Sequence, residues 1–159
     1  MNDARTYTIP GYATQSGFTL DIDIAYKTFG ELAPGGDNVV VVPTFYGGRH
    51  PETEFMVAPG RAIDVSKYFV VIPNMLGNGL STSPSNAPAP HNGPRFPAIR
   101  VRDNVESQHR LVTERFGITT LPLVLGWSMG AGQTYQWAVS HPEMVQRILP
   151  FCASPRTAP

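Results

Sequence analysis

Four short runs of apolar residues constrain the fold of this chain more than any other feature. They occupy residues 38–43 (NVVVVP), 68–73 (YFVVIP), 121–126 (LPLVLG) and 147–152 (RILPFC). The first two are continuous and rich in side chains branched at Cβ, which is typical of parallel strands covered on both faces. We therefore predict that the four runs are strands of one buried sheet.

A different pattern precedes these runs. Residues 18–30 (FTLDIDIAYKTFG) alternate apolar and polar side chains with a period of two, which is typical of a half-buried strand. We expect this strand to pair with residues 5–10 (RTYTIP). The predicted apolar face consists of Phe18, Leu20, Ile22, Ile24 and Tyr26.

Segments with helical spacing separate the strands. Residues 101–117 carry apolar side chains at helical intervals and end at Gly117, a candidate C-cap. A second helix is predicted over residues 129–141 and a shorter one over residues 58–68. A hairpin followed by alternating strands and helices predicts an α/β fold, with a mostly parallel sheet and helices on both faces.

Composition limits the classes of function. The chain has 159 residues, enough for one domain with a sizeable core. Twelve Lys and Arg balance twelve Asp and Glu, so nothing indicates binding to nucleic acid or to an anionic membrane. Cys152 is the only cysteine, which excludes an internal disulfide. With neither a long apolar run nor a signal-peptide pattern, we expect a cytoplasmic protein that does not bind membranes.

The pentapeptide Gly126-Trp127-Ser128-Met129-Gly130 fits the pattern G-x-S-x-G and lies between a predicted strand and a predicted helix. In that context the serine occupies a strained turn, and glycines on either side avoid steric collisions. The N-terminus of the helix offers free N–H groups to a developing oxyanion. We interpret Ser128 as a nucleophile; the alternative is a small serine in a tight turn.

An oxyanion hole needs two N–H donors. The residue after the nucleophile, Met129, is expected to supply one. The other is expected from residues 41–50 (VVPTFYGGRH), which follow the third predicted strand. We predict the N–H of Phe45 as this donor, with that of Tyr46 as the alternative, because the glycines at 47 and 48 let the backbone turn close to the site.

Other motifs argue against a bound cofactor. Residues 77–82 (GNGLST) begin like a dinucleotide-binding fingerprint, but the third glycine and the following helix are missing.

Residues 81–97 contain five prolines, which predicts a long loop that is functional or mobile. The histidines share no spacing typical of metal ligands, so we predict no metal site. They are His50, His91, His109 and His141.

Longer motifs carry a resemblance to a known family. They are AYKTFGEL (25–32), NMLGNGLSTSPS (74–85), FPAIRVRDNVESQHRLVTERFGI (96–118) and SMGAGQTYQWAVSHPEMVQRILPFCAS (128–154). On these motifs the sequence resembles the α/β-hydrolase superfamily and, within it, the homoserine O-acetyltransferase family. The resemblance implies that residues 1–159 are the N-terminal part of a single α/β-hydrolase domain, whose lid and C-terminal strands are absent.

The resemblance also implies a chemistry. It implies acyl transfer through an acyl-serine at Ser128, from acetyl-CoA to a homoserine-like hydroxyl, with Phe45 and Met129 as oxyanion donors. The acetyltransferases generally carry glycine where this chain has Trp127, and many relatives with a bulkier residue there are hydrolases. An esterase is therefore the alternative, and Tyr46 and Trp127 are the candidate substrate-binding residues.

The catalytic acid and base are expected outside this chain. In α/β-hydrolases the order is serine, acid, histidine, whereas here His141 precedes Glu143. His141 also lies about 20 Å along the predicted helix from Ser128, and His109 is interpreted as a packed core residue. We expect a complementary C-terminal half, or self-association through the last strand. A catalytically silent truncated fragment is the competing hypothesis.

Overall fold

The computed structural model describes residues 3–156, which contain a six-stranded sheet and its helices. All of the predicted strands are present. The strands are β1 (Arg5–Ala13), β2 (Thr19–Phe29), β3 (Val39–Val41), β4 (Phe69–Pro73), β5 (Leu123–Trp127) and β6 (Ile148–Phe151). The α-helices are α1 (His50–Thr53), α2 (Val101–Arg110) and α3 (Met129–Ser140). Single helical turns occur at Glu54–Met56, Gly93–Arg95 and Leu111–Arg115.

The sheet has the order β1-β2-β4-β3-β5-β6. Strands β1 and β2 form the predicted antiparallel hairpin, with Ile9 opposite Ile22. Strand β2 is antiparallel to β4, and β4, β3, β5 and β6 are mutually parallel neighbours. The predicted fold class, a mostly parallel sheet flanked by helices, is confirmed.

The central strands explain why the apolar runs are continuous. Successive side chains point to opposite faces of a sheet, so Val39 and Val41 enter one core while Val40 enters a second core. Helices α2 and α3 cover the first core with Val105 and Trp137. Residues after β3, including Val57, cover the second core.

The hairpin strand β2 differs from the prediction at one position. Leu20, Ile22, Ile24 and Tyr26 are all buried in the first core. Phe18 precedes the strand and is 44% exposed, with its ring edge against the ring of His91. The period of two therefore identified the strand's inner face correctly but extended it one residue too far.

The helix predicted over residues 58–68 is wrong. The region contains turns and an isolated bridge between Val57 and Ile63, and the helical turns lie earlier, in α1 and Glu54–Met56. Gly60 has a φ of +72°, which a helix does not allow. The Asp64 carboxylate accepts hydrogen bonds from the N–H and hydroxyl of Ser66, which favours a turn over a helix.

The helix predicted over residues 101–117 is confirmed, although its last turn is wider than an α-helix. Leu111–Arg115 forms a π-helical turn after α2. Gly117 then ends the segment with a φ of +66°, and its N–H donates to the Thr113 carbonyl over 2.9 Å. Glycine adopts this left-handed conformation without strain, which explains the predicted C-cap.

The proline-rich loop is attached to the sheet by buried hydroxyl groups. The Ser81 hydroxyl donates to the Asn74 carbonyl over 2.8 Å and accepts from the Ala25 N–H over 3.0 Å. The Thr82 hydroxyl accepts from the Asp23 N–H over 2.7 Å.

Within residues 3–156 we find no helix long and apolar enough to cross a membrane.

Candidate active site

Ser128 lies at the junction between β5 and α3. Its backbone has φ 53° and ψ −120°, a left-handed φ that residues other than glycine rarely adopt. Its N–H donates to the Phe151 carbonyl over 3.1 Å, and its own carbonyl accepts from the Ala131 N–H over 2.9 Å. The predicted strained backbone between strand and helix is therefore confirmed, while the chemical role of Ser128 stays a prediction.

The glycines beside Ser128 are required by close backbone contacts. A Cβ at Gly126 would lie 2.2 Å from the Gly130 carbonyl oxygen. A Cβ at Gly130 would lie 2.7 Å from the Pro43 carbonyl oxygen. Both distances are well inside van der Waals contact, so these two positions exclude every larger residue. They bring the first turn of α3 directly against the loop after β3.

That loop is the predicted source of an oxyanion donor. The Gly48 N–H donates to the Phe45 carbonyl over 2.9 Å, which closes a tight turn, and Gly47 has a φ of +74°. Within residues 3–156, neither the Phe45 N–H nor the Tyr46 N–H donates a hydrogen bond. As the first residue of α3, Met129 has an N–H without an acceptor inside the helix. Both predicted kinds of donor are thus available.

A buried polar chain, which the sequence pattern did not reveal, supports this loop. The Gln133 amide donates to the Thr44 carbonyl over 2.8 Å, directly before Phe45. The Gln108 amide donates to the Gln133 oxygen over 2.6 Å, and the Trp137 indole N–H donates to the Gln108 oxygen over 3.0 Å. Since all of these side chains are buried, the chain fixes the loop relative to α2 and α3.

Two buried asparagines fix the neighbouring loop after β4. Asn74 Oδ1 accepts from the His50 N–H over 3.0 Å, and its Nδ2 donates to the Ala25 carbonyl over 3.0 Å. Asn104 Oδ1 accepts from the Leu76 N–H over 2.8 Å. The loops after β3 and β4 are therefore held at the carboxyl ends of the parallel strands, where α/β proteins usually bind ligands.

A cavity of about 400 Å³ opens between these loops and α2. Its lining is mainly apolar, and the guanidinium-bearing residue Arg100 lies at the start of α2. Two of the predicted site residues, Tyr46 and Met129, line this cavity. The lining includes Tyr46, Gly47, Met75, Asn78, Arg100 and Met129.

Trp127 lies in an aromatic cluster. Its ring centroid is 4.7 Å from that of Phe45 and 6.3 Å from that of Phe55. Tyr46, by contrast, is 80% exposed beside the cavity. The two candidate substrate-binding residues thus flank the loop in different environments.

Within the described residues, the contacts of the four histidines are with side chains other than Ser128. His50 is buried, with Nε2 3.2 Å from Asp3 Oδ1. Hydrogen bonds from Lys27 first, and from His50 next, lower the pKa of Asp3 to about 2. His91 contacts the ring of Phe18.

The other two histidines lie together. The rings of His109 and His141 stack at 3.9 Å, and burial first, then the neighbouring His141, lower the pKa of His109. His141 caps the C-terminal end of α3, 13 residues after Ser128, so it lies roughly 20 Å along the helix axis from Ser128. This geometry agrees with the expectation that His141 is not the base.

The class of protein follows from the sheet order and the strained serine between β5 and α3. Residues 37–155 match the model of the alpha/beta hydrolase fold family, and the chain belongs to this family. The resemblance recognised in the sequence is thereby confirmed.

Particular relatives include both hydrolases and transferases. The chain is 43% identical to ethyl acetate hydrolase of Pseudomonas veronii over 136 residues, which cover 85% of this chain and 39% of that protein. It is 33% identical to homoserine O-acetyltransferase of Carboxydothermus hydrogenoformans, covering 99% of this chain and 46% of that protein. The structure of the acetyl esterase MekB matches with a TM-score of 0.89 and 40% identity, over 91% of this chain and 43% of that one.

The chain thus spans less than half the length of these relatives. The assignment of residues 1–159 to the N-terminal part of a single domain stays a prediction.

Proposed function

We propose that this chain carries the nucleophile and the oxyanion donors of an enzyme that cleaves acetyl esters through an acetyl-serine at Ser128. One observation carries the proposal: Ser128 has a φ of 53° between β5 and α3, in a turn where Gly126 and Gly130 permit close backbone contact. Proteins keep such strain mainly where function requires it. In a strained strand-to-helix turn of this kind, the serine hydroxyl is typically exposed at the carboxyl end of the sheet.

The proposed reaction proceeds in two steps. The Ser128 Oγ attacks the ester carbonyl carbon while a base takes its proton, and the N–H groups of Phe45 and Met129 stabilise the oxyanion. The bond to the alcohol oxygen then breaks, and the alcohol leaves with the proton. In the second step water attacks the acetyl-serine, which releases acetate and restores the Ser128 hydroxyl.

Water is the proposed acceptor for two reasons: the bulky residue at position 127 and the higher identity of this chain to the hydrolase relatives. By the resemblance to the acetyltransferase family, Trp127 stands where those enzymes generally carry glycine. The hydrolase relatives are also more similar to this chain than the transferase relative. Transfer from acetyl-CoA to a homoserine-like hydroxyl is the second candidate. The similarity to homoserine O-acetyltransferase over 99% of the chain favours it.

The acid and base belong, in this proposal, to a complementary C-terminal polypeptide. The contacts of the four histidines, which are with side chains other than Ser128 within the described residues, support this part of the proposal. A serine hydroxyl without an adjacent base is a weak nucleophile. The 159-residue chain alone should therefore hydrolyse esters slowly.

Labelling with a fluorophosphonate probe tests the nucleophile. The chain would be assayed alone and together with the remaining C-terminal part of the Pseudomonas veronii relative. We expect strong labelling and p-nitrophenyl acetate hydrolysis only in the mixture, and loss of both in Ser128→Ala. Ser140→Ala is the matched control on the same helix and should retain both. Robust hydrolysis by the chain alone, dependent on Ser128, would contradict the missing base.

The acceptor is tested in the same mixture. After incubation with acetyl-CoA, with and without homoserine, mass spectrometry would quantify acetate and O-acetylhomoserine. Equal acetate release in both samples supports the hydrolase. Formation of O-acetylhomoserine at the expense of acetate supports the transferase. No Ser128 acylation in any properly folded mixture would indicate a catalytically silent fragment.

A further inference from the structure

Three potential metal ligands meet where the second half of α2 lies beside the end of α3. Glu106 and His109 lie one turn apart on α2, and His141 follows the last residue of α3. One ligand atom from each residue can be chosen so that all three atoms lie within 4.8 Å of one another. The helix α3 separates this cluster from Ser128, so the cluster is distinct from the candidate active site.

The cluster contains a buried nitrogen without a hydrogen-bond partner among the described residues. The Nε2 atom of His141 is buried and makes no hydrogen bond within residues 3–156. Buried polar atoms in native proteins usually have a hydrogen-bond or metal partner, so this nitrogen is a candidate ligand.

The Glu106 carboxylate is oriented toward this nitrogen. Its Oε1 lies 3.6 Å from Arg102 Nε, and its Oε2 lies 3.5 Å from His141 Nε2. Two ligands of a tetrahedral zinc ion are separated by about 3.4 Å when each bond is about 2.1 Å long. The distance between the carboxylate oxygen and the histidine nitrogen already matches that separation.

We propose that Glu106, His109 and His141 bind one divalent transition-metal ion of the zinc class. Two imidazoles and one carboxylate are a common ligand set for zinc. The parallel rings of His109 and His141, 3.9 Å apart, must splay before both can direct a nitrogen at one ion. This proposal replaces the expectation of no metal site, which rested on spacing along the chain.

The position of the site suggests a structural role. Glu106 and His109 lie in α2, which continues into the helical turn Leu111–Arg115, and His141 follows α3. The ion would therefore join the middle of one helical segment to the end of the other. Trp137 of α3 packs against α2 at this point. Its ring centroid is 5.3 Å from that of His141, and its indole N–H donates a hydrogen bond to Gln108 of α2. The ion would therefore stabilise the same helix pair that fixes the loop after β3.

Isothermal titration of the metal-free 159-residue chain with zinc chloride at about pH 7.5 tests the proposal. Cys152→Ser serves as the background, because the exposed thiol of Cys152 could bind zinc itself. We expect one ion per chain. Glu106→Gln and His141→Gln should each weaken binding about tenfold or more, since each removes one ligand.

Matched controls and a second readout complete the test. Glu143→Gln and His91→Gln change the same residue types outside the cluster and should leave the affinity within about twofold. Zinc should raise the melting temperature of the background chain, because it binds only the folded state, and should not raise that of Glu106→Gln. Circular dichroism verifies that each variant is folded. Substoichiometric binding, or equal affinity in folded Glu106→Gln and Glu143→Gln, would overturn the proposal.

Discussion

The ring of Trp127 lies 4.7 Å from the ring of Phe45 at an angle of 54°, so the residue before the candidate nucleophile packs against the residue that offers the candidate oxyanion donor. Phe55 completes this cluster with a centroid distance of 6.3 Å to Trp127. An aromatic wall at this position would restrict the space beside an acyl group bound at Ser128. We therefore expect the side chain at residue 127 to affect which acyl groups the proposed enzyme accepts.

Replacing Trp127 by glycine should widen the range of acyl groups. In the complemented enzyme we expect Trp127→Gly to raise the ratio of butanoate to acetate ester hydrolysis about tenfold, because removing the indole opens space for two methylene groups. The measurement is kcat/KM for p-nitrophenyl acetate and butanoate. Tyr68→Phe, at a distant position before β4, is the control and should leave the ratio unchanged. An unchanged ratio in Trp127→Gly would show that the wall does not contact the acyl group.

The two glycines of α3 should respond oppositely to alanine. At Gly130 the added Cβ would lie 2.7 Å from the Pro43 carbonyl oxygen, whereas at Gly132 nothing lies within 4 Å. We expect Gly130→Ala to lower the free energy of unfolding by about 2 kcal/mol or more through backbone displacement. Gly132→Ala should raise it by about 0.5–1 kcal/mol through helix propensity. Urea denaturation measures both, and equal effects would contradict the close contact between α3 and the loop after β3.

Removing the Gln133 amide should destabilise the loop that carries Phe45. Gln133→Leu leaves the Thr44 carbonyl and the Gln108 amide without their partner in a buried setting. We expect a loss of about 2–4 kcal/mol in the free energy of unfolding. Gln136→Leu, on the same helix and only partly buried, should change it by no more than about 0.5 kcal/mol. Similar losses in both variants would mean that the polar chain does not stabilise the loop.

The strands were predictable from sequence because burial on both faces leaves a local pattern. Val39, Val40 and Val41 enter two cores in alternation, and this produces a continuous apolar run that can be recognised without any knowledge of partners. Ser128 was predictable for a related reason. The strained turn needs glycines at fixed offsets, so the pentapeptide carries its own geometric requirement.

Features that depend on contacts between distant segments were not predictable. Gln108 and Gln133 look like ordinary polar residues on two helices, and only the packing of α2 against α3 joins them across 25 positions. Likewise, no spacing rule reveals that His141 stacks on His109. The helix predicted over residues 58–68 failed because the local turn at Gly60 and the Asp64 side chain outweighed the apolar pattern.

The last strand should make the isolated chain self-associate. Strand β6 is an edge strand of the sheet, because among the described strands it pairs only with β5. Its Leu149 side chain is 51% exposed. Unpaired edges with apolar side chains promote association, and a lysine on the edge opposes it. We expect the chain at micromolar concentration to sediment as a dimer or larger species, and Leu149→Lys to shift it toward monomer. Val139→Lys adds the same charge at a 76% exposed position on α3 and should have no such effect. A monodisperse wild-type monomer in analytical ultracentrifugation would show that this edge is adequately covered.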